Sequence, residues 1–84
     1  MPEANGFIAQ FEKNSKEEVR VSIDEFHGHR IINIRVYYQS PDGQRLPGRQ
    51  GLALEIDRYR YLADAVLRIG EELQARGLLG IDQS

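Results

Sequence analysis

Eighty-four residues make one small domain, and a chain this short buries so little surface that a single core is marginal without outside help. It contains no cysteine, which excludes disulfides and thiolate metal sites and leaves association with another chain as the readiest source of extra buried area. The net charge of −2 argues against a generic basic nucleic-acid binder, and no apolar run of about 18 residues exists to span a membrane.

Met1 to Gly6 has no periodicity and lacks the basic start and apolar run of a secretory signal. A disordered start at 1–6 and a soluble, intracellular chain are the expectations. Phe7 to Glu12 sets Phe7, Ala9 and Phe11 against Ile8, Gln10 and Glu12, which suits a short edge strand. After a polar break at Asn14–Glu17, Val19 to Phe26 places Val19, Val21 and Ile23 on one face. Arg20, Ser22, Asp24 and Phe26 fall on the other. His27-Gly28 supplies the glycine favoured by a tight hairpin.

The chain returns as Arg30 to Gln39, with Ile32, Ile34 and Val36 on one face and Ile31, Asn33, Arg35 and Tyr37 on the other. Ser40-Pro41-Asp42-Gly43 is a turn. Gln44 to Leu54 reads as a last strand interrupted by Pro47 and Gly48. From Ile56 the period changes to about 3.6, and Ile56, Tyr59, Leu62, Ala63, Val66, Ile69 and Leu73 form one apolar stripe. Glu55 or Asp57 can cap this helix at its amino end, and Gly77 ends it. Gly70 lies inside it and marks either a close contact or a kink.

The fold class is therefore α+β: a four-stranded antiparallel sheet followed by one C-terminal helix, with a single domain over 7–76 and a tail at 77–84. The helix is expected to cover the Val21/Ile34 face. The opposite face stays open, with Arg20, Ser22, Phe26, Asn33, Arg35 and Tyr37. Charge supports interest in it: residues 19–54 carry five arginines against three acids, while both flanking segments are acidic. Arginines for phosphates and rings for unstacked bases are what a single-strand platform needs. A solvated face with ordinary arginine–aromatic pairs has the same composition.

The run Val21-Ser22-Ile23, Asp24-Glu25-Phe26, Gly28, Ile32-Asn33-Ile34-Arg35, Tyr37-Tyr38, Pro41-Asp42-Gly43 and Pro47-Gly48-Arg49-Gln50-Gly51-Leu52-Ala53-Leu54 resembles the positive cofactor four family of transcriptional coactivators. The likeness covers about Val19 to Ile69. It implies a homodimer with grooves for single-stranded DNA, no catalysis and no cofactor. By position, Phe26 matches a base-stacking aromatic, Arg35 a backbone-contacting arginine, Tyr38 a stacking tryptophan and Arg49 a loop cation. His27 and His29 stand where the family has lysines, and histidine at its ordinary pKa is mostly neutral at pH 7. Leu46 and Gln50 also replace basic residues, with Arg45 positioned to substitute, and Asp24 replaces another.

The candidate contacts are Arg20, Phe26, His27, His29, Arg35, Tyr38, Arg45 and Arg49. The implied partners are single-stranded DNA or RNA, a second copy and the transcription machinery, with no membrane. The family's eukaryotic serine- and lysine-rich amino-terminal region has no counterpart in these residues. The expectation is a minimal bacterial- or phage-type member, cytoplasmic and nucleoid-associated if bacterial, nuclear if eukaryotic.

Other chemistries fare less well. His27-x-His29 lacks the further ligands of a zinc site. Asp24-Glu25 has no accompanying nucleophile. Pro47-Gly48-Arg49-Gln50-Gly51 lacks the lysine and spacing of a P-loop. A protein-interaction module with a weakened groove remains the alternative function.

Overall fold

The structure is a computed structural model and describes residues 6–79. Four strands, β1 (Ala9–Glu12), β2 (Glu17–Phe26), β3 (His29–Gln39) and β4 (Arg45–Glu55), form one antiparallel sheet in the order β1-β2-β3-β4. A 3-10 turn at Ile56–Arg58 leads into α1 (Tyr59–Ala75). The ββββα architecture is the one expected. Residues 1–5 of the expected disordered start, and 80–84 of the tail, lie outside the described residues.

Each strand forms where apolar residues alternate, and the three connections close in different ways. The β1–β2 connection is closed by Asn14, whose Oδ1 accepts from the Lys16 and Glu17 amides at 2.9 and 2.8 Å. The β2–β3 hairpin turns at His27 and Gly28, with φ of 53° and 80°. Two successive left-handed residues define the turn whose twist matches its flanking strands. At the β3–β4 turn the Gly43 amide donates to Ser40 O at 2.9 Å, and Gly43 takes φ 92°.

Register fixes the faces. Val19 lies opposite Val36, Val21 opposite Ile34 and Ile23 opposite Ile32, with Leu52 and Leu54 continuing the apolar rows on β4. Arg20 faces Arg35 and Ser22 faces Asn33 on the other side. The strand expected to be interrupted at Pro47 is instead one element with a bulge. Arg35 pairs with Gly51, while Tyr37 pairs with Pro47, so two more residues of β4 than of β3 lie between these pairs. β4 is an edge strand, where a proline without a donor is tolerated.

The expected helix placement is corrected. Within one chain α1 does not cover the Val21/Ile34 face: its neighbour is the 3-10 turn, and no residue of α1 or of that turn is buried. The chain leaves the end of β4 through Ile56–Arg58 and carries the helix away from the sheet. A Cα radius of gyration of 15.2 Å, against about 12 Å for a compact chain of this length, records the same departure. Among the described residues no hydrophobic side chain is buried. Ile23, Leu52, Tyr59, Val66, Leu67 and Ile69 are each more than two-fifths exposed.

Neither Glu55 nor Asp57 caps α1, which begins after Arg58 without a side-chain cap. Its other end stops as the sequence suggests. Gly77 at φ 72° lets the Leu78 amide reach Leu73 O at 2.8 Å and the Gly77 amide reach Gln74 O at 3.0 Å.

Candidate nucleic-acid interface

The candidate residues occupy three places along the β2–β3 hairpin. At its tip, Phe26 closes β2 opposite His29 and is 64% exposed, with its ring edge-on to His27 at 4.2 Å between centroids. His29 Nδ1 lies 3.6 Å from Glu55 Oε2, an ion pair only when the imidazole is charged. The tip thus presents one aromatic plane and two imidazoles to solvent.

The far end of the hairpin carries Tyr38. It stands opposite Glu17 on β2 and Leu46 on β4, on the apolar face of the sheet. Beside it the β4 bulge closes a pocket of about 480 Å³ lined by Glu17, Val36, Tyr38, Pro47, Gly48, Arg49 and Gln50. That size falls within the ~300–1,000 Å³ of small-ligand clefts. Gly48 lets the strands approach closely there: a Cβ would lie 3.0 Å from Val36 O and 3.5 Å from Tyr38 Cδ1. Arg49 is exposed, and among the described residues no hydrogen bond or ion pair engages its side chain.

Arg35, between the two ends, holds the bulge in shape. Its Nη1 donates to the carbonyl oxygens of Gly48 and Arg49, each at 3.3 Å. The guanidinium lies over Gly51, whose missing Cβ would fall 3.0 Å from Arg35 Cζ and Nη1 and 2.7 Å from Ile34 O. Arg35 is therefore a clamp on the segment that presents Arg49.

The middle of the expected platform is largely committed to the protein itself. Arg20 pairs with Glu18 at 2.8 Å and lies between two rings, 5.0 Å from the Phe7 centroid and 4.5 Å from that of Tyr37. Phe7 meets Tyr37 edge-on at 5.5 Å. Asp24 accepts from Ser22 Oγ at 3.0 Å and Asn33 Nδ2 at 3.2 Å. Arg45 donates to Lys16 O at 2.9 Å, tying the start of β4 to the β1–β2 connection.

Two participants escaped the sequence reading. Phe7 lies before β1 rather than within it, and joins the Arg20/Tyr37 side while Phe11 lies opposite Val19 on the apolar side. Gly6 at φ 77° turns the chain just ahead of it. Glu17 was read as part of a polar break; its register partner Tyr38 makes it a pocket wall. Lys13 Nζ and Asn14 Nδ2 donate to its Oε1 at 2.8 and 2.9 Å, holding the carboxyl below the usual glutamate range.

Along the strands, Phe26 and Tyr38 are separated by about nine residue steps, or roughly 30 Å at the rise of an extended strand. Alternation also puts them on opposite faces, so one chain does not unite all eight candidates on a single surface.

A small antiparallel sheet of this topology, edged by exposed rings, imidazoles and a free arginine, belongs to the class of ββββα binding domains. More particularly, the chain belongs to the family described as Transcriptional Coactivator p15 (PC4), whose model matches residues 13–65. A Neurospora crassa protein described as an inferred RNA polymerase II transcriptional coactivator is 31% identical over 58 residues, covering 69% of this chain. The chain spans about a third of that relative's length, 33%. The crystal structure of a PC4 homolog from Burkholderia pseudomallei shares the fold at a TM-score of 0.72 and 24% identity, over 79% of this chain and 89% of that one. MoSub1, solved in complex with single-stranded DNA, superposes at a TM-score of 0.60 and 32% identity, over 100% of this chain and 93% of MoSub1. Among the described residues no helix is long and apolar enough to cross a membrane.

Proposed function

We propose that this chain is a non-enzymatic single-stranded DNA-binding protein that works as a homodimer in transcription regulation or DNA maintenance. The observation that carries the reading is family membership over residues 13–65, supported by the likeness to a protein solved on single-stranded DNA. The geometry supplies suitable groups. Phe26 and Tyr38 offer ring faces for bases and Arg49 a free cation for phosphate, with His27 and His29 beside Phe26 at the hairpin tip. Arg35 acts first on the bulge, and Arg20 and Arg45 serve the fold.

The dimer is supported by what one chain leaves uncovered. An apolar sheet face and an apolar helix stripe, neither with a buried side chain, do not offset the chain entropy of folding. A second copy bringing the same two surfaces covers the Val21/Ile34 part of the face and the helix stripe, and leaves the Tyr38 end of the face open.

A second reading, a protein-interaction module, is favoured by one observation: three of the five arginines on β2–β4 donate to protein oxygens. Fluorescence anisotropy with a labelled oligonucleotide of about 20 residues separates the two. Single-strand binding requires affinity that falls with salt, at a log–log slope of about −0.7 per phosphate neutralised. No binding at low salt removes the DNA reading and leaves the module.

A further inference from the structure

The pocket beside Tyr38 contains a group that phosphate binding does not explain. Glu17 is an acid in a proposed anion-binding groove, yet it is built into place rather than left free. Its Oε1 receives the Lys13 ammonium and the Asn14 amide, and Asn14 is itself fixed by the Lys16 and Glu17 backbone amides. Among the described residues Oε2 has no partner of its own. The carboxylate stands directly across the ladder from Tyr38, on the same face, with the Arg49 and Gln50 bulge on the far side of the ring.

We propose that this pocket is a nucleobase subsite that selects bases bearing an exocyclic amino group, and that Glu17 is the residue that reads it. The proposal rests on the single-strand reading above and adds a specificity to it. The chemistry is one-sided. An ionised carboxylate accepts hydrogen bonds and donates none, and the hydrogen bonds from Lys13 and Asn14 keep Glu17 ionised at neutral pH. Cytosine turns an N4 amino donor towards such an acceptor. Uracil and thymine present a carbonyl oxygen at the same position, which a carboxylate repels. Tyr38 supplies a stacking plane, Gly48 leaves the space beside the ring clear of side chain, and Arg49 at the rim is placed for the adjoining phosphate.

Pairing with Lys13 reduces the repulsion between Glu17 and that phosphate. Preorganisation matters as well, since a carboxylate already ordered by two donors loses little freedom when a base docks.

The test compares oligo-dC with oligo-dU, each about 20 nucleotides long, because the two bases share one ring and differ only along one edge, where cytosine has the 4-amino donor and a bare N3 and uracil the 4-carbonyl and an N3–H. Wild-type protein at neutral pH is expected to bind oligo-dC at least about five-fold more tightly, the low end for one base-edge discrimination. In Glu17→Gln the amide can donate to the uracil carbonyl as well as accept from cytosine. The ratio is expected to fall towards one while oligo-dU affinity holds or rises. Retained oligo-dU binding shows that the variant is folded. Equal affinities in the wild type, or a dC preference undiminished in Glu17→Gln, overturn the proposal while leaving single-strand binding intact. Failure to bind either oligonucleotide removes both.

Discussion

Gly51→Ala is the substitution for which the structure supplies the most direct magnitude. The added methyl would lie 2.7 Å from Ile34 O and 3.0 Å from Arg35 Cζ and Nη1. Favourable contacts between non-bonded carbons lie at roughly 3.5–4.0 Å. The guanidinium can swing aside, but Ile34 O belongs to the backbone of β3, an inner strand of the sheet. Relief must come from β4, by an outward shift that lengthens the ladder bonds beside the bulge. Overpacking of this kind costs about 1–3 kcal/mol. For a domain of this size that corresponds to a melting temperature lower by roughly 5–20 °C. Circular dichroism melts at one fixed chain concentration provide the assay, because association makes Tm depend on concentration. A variant melting within about 1 °C of the wild type would refute the tight approach of β4 to β3 at this point.

Other outcomes follow from the same geometry. Arg49→Ala is expected to weaken oligonucleotide binding and to lower the salt slope by about 0.7. Arg20→Ala, in contrast, should lower Tm through loss of its contacts with the Phe7 and Tyr37 rings and of the Glu18 pair while leaving the slope unchanged; a changed slope would show Arg20 on phosphate. Phe26→Ala should cost about 1–3 kcal/mol of binding, as for one stacked base, and unaltered affinity would remove Phe26 from the site. Finally, the Glu17 carboxyl is held low by the hydrogen bonds from Lys13 and then Asn14. Its folded pKa lies below its unfolded one, so its contribution is complete above the unfolded value and is lost as pH falls through the folded value. Urea titrations should show wild type more stable than Glu17→Gln at neutral pH, with the gap closing in acid; a gap that widens on acidification contradicts the sign.

The strands and turns were legible because their signals are local. Alternation from Val19 to Phe26 and from Arg30 to Gln39, with glycines where φ is positive, fixes the hairpin and its two faces. The bulge was not legible: Pro47 and Gly48 look like a break, and only pairing with β3 shows that Arg35 bridges the extra residues. Helix placement failed for a different reason. The apolar stripe of α1 shows that a face must be covered, but not by which chain. Among the described residues of one chain a Cβ at Gly70 meets nothing within 4 Å, so a close contact inside the chain does not account for it.

Among the site residues, Phe26 and Arg49 are exposed as expected. The partners of Arg20 were not legible because Glu18 and Phe7 come from its own strand and from a segment whose facing relative to β2 alternation alone does not give. Tyr38 was recognised by position in a family pattern, whereas Glu17 carried no pattern at all and emerged only through the register of β2 against β3.

Sedimentation of the chain alone and with a labelled single strand of about 20 nucleotides tests the central claim most directly, since it reads association and binding together. The expected result is the mass of two chains without DNA, with the label moving at the mass of two chains and one strand when mixed at low salt. A single-chain mass, or a label that sediments as free oligonucleotide at concentrations where the protein is in excess, would contradict it.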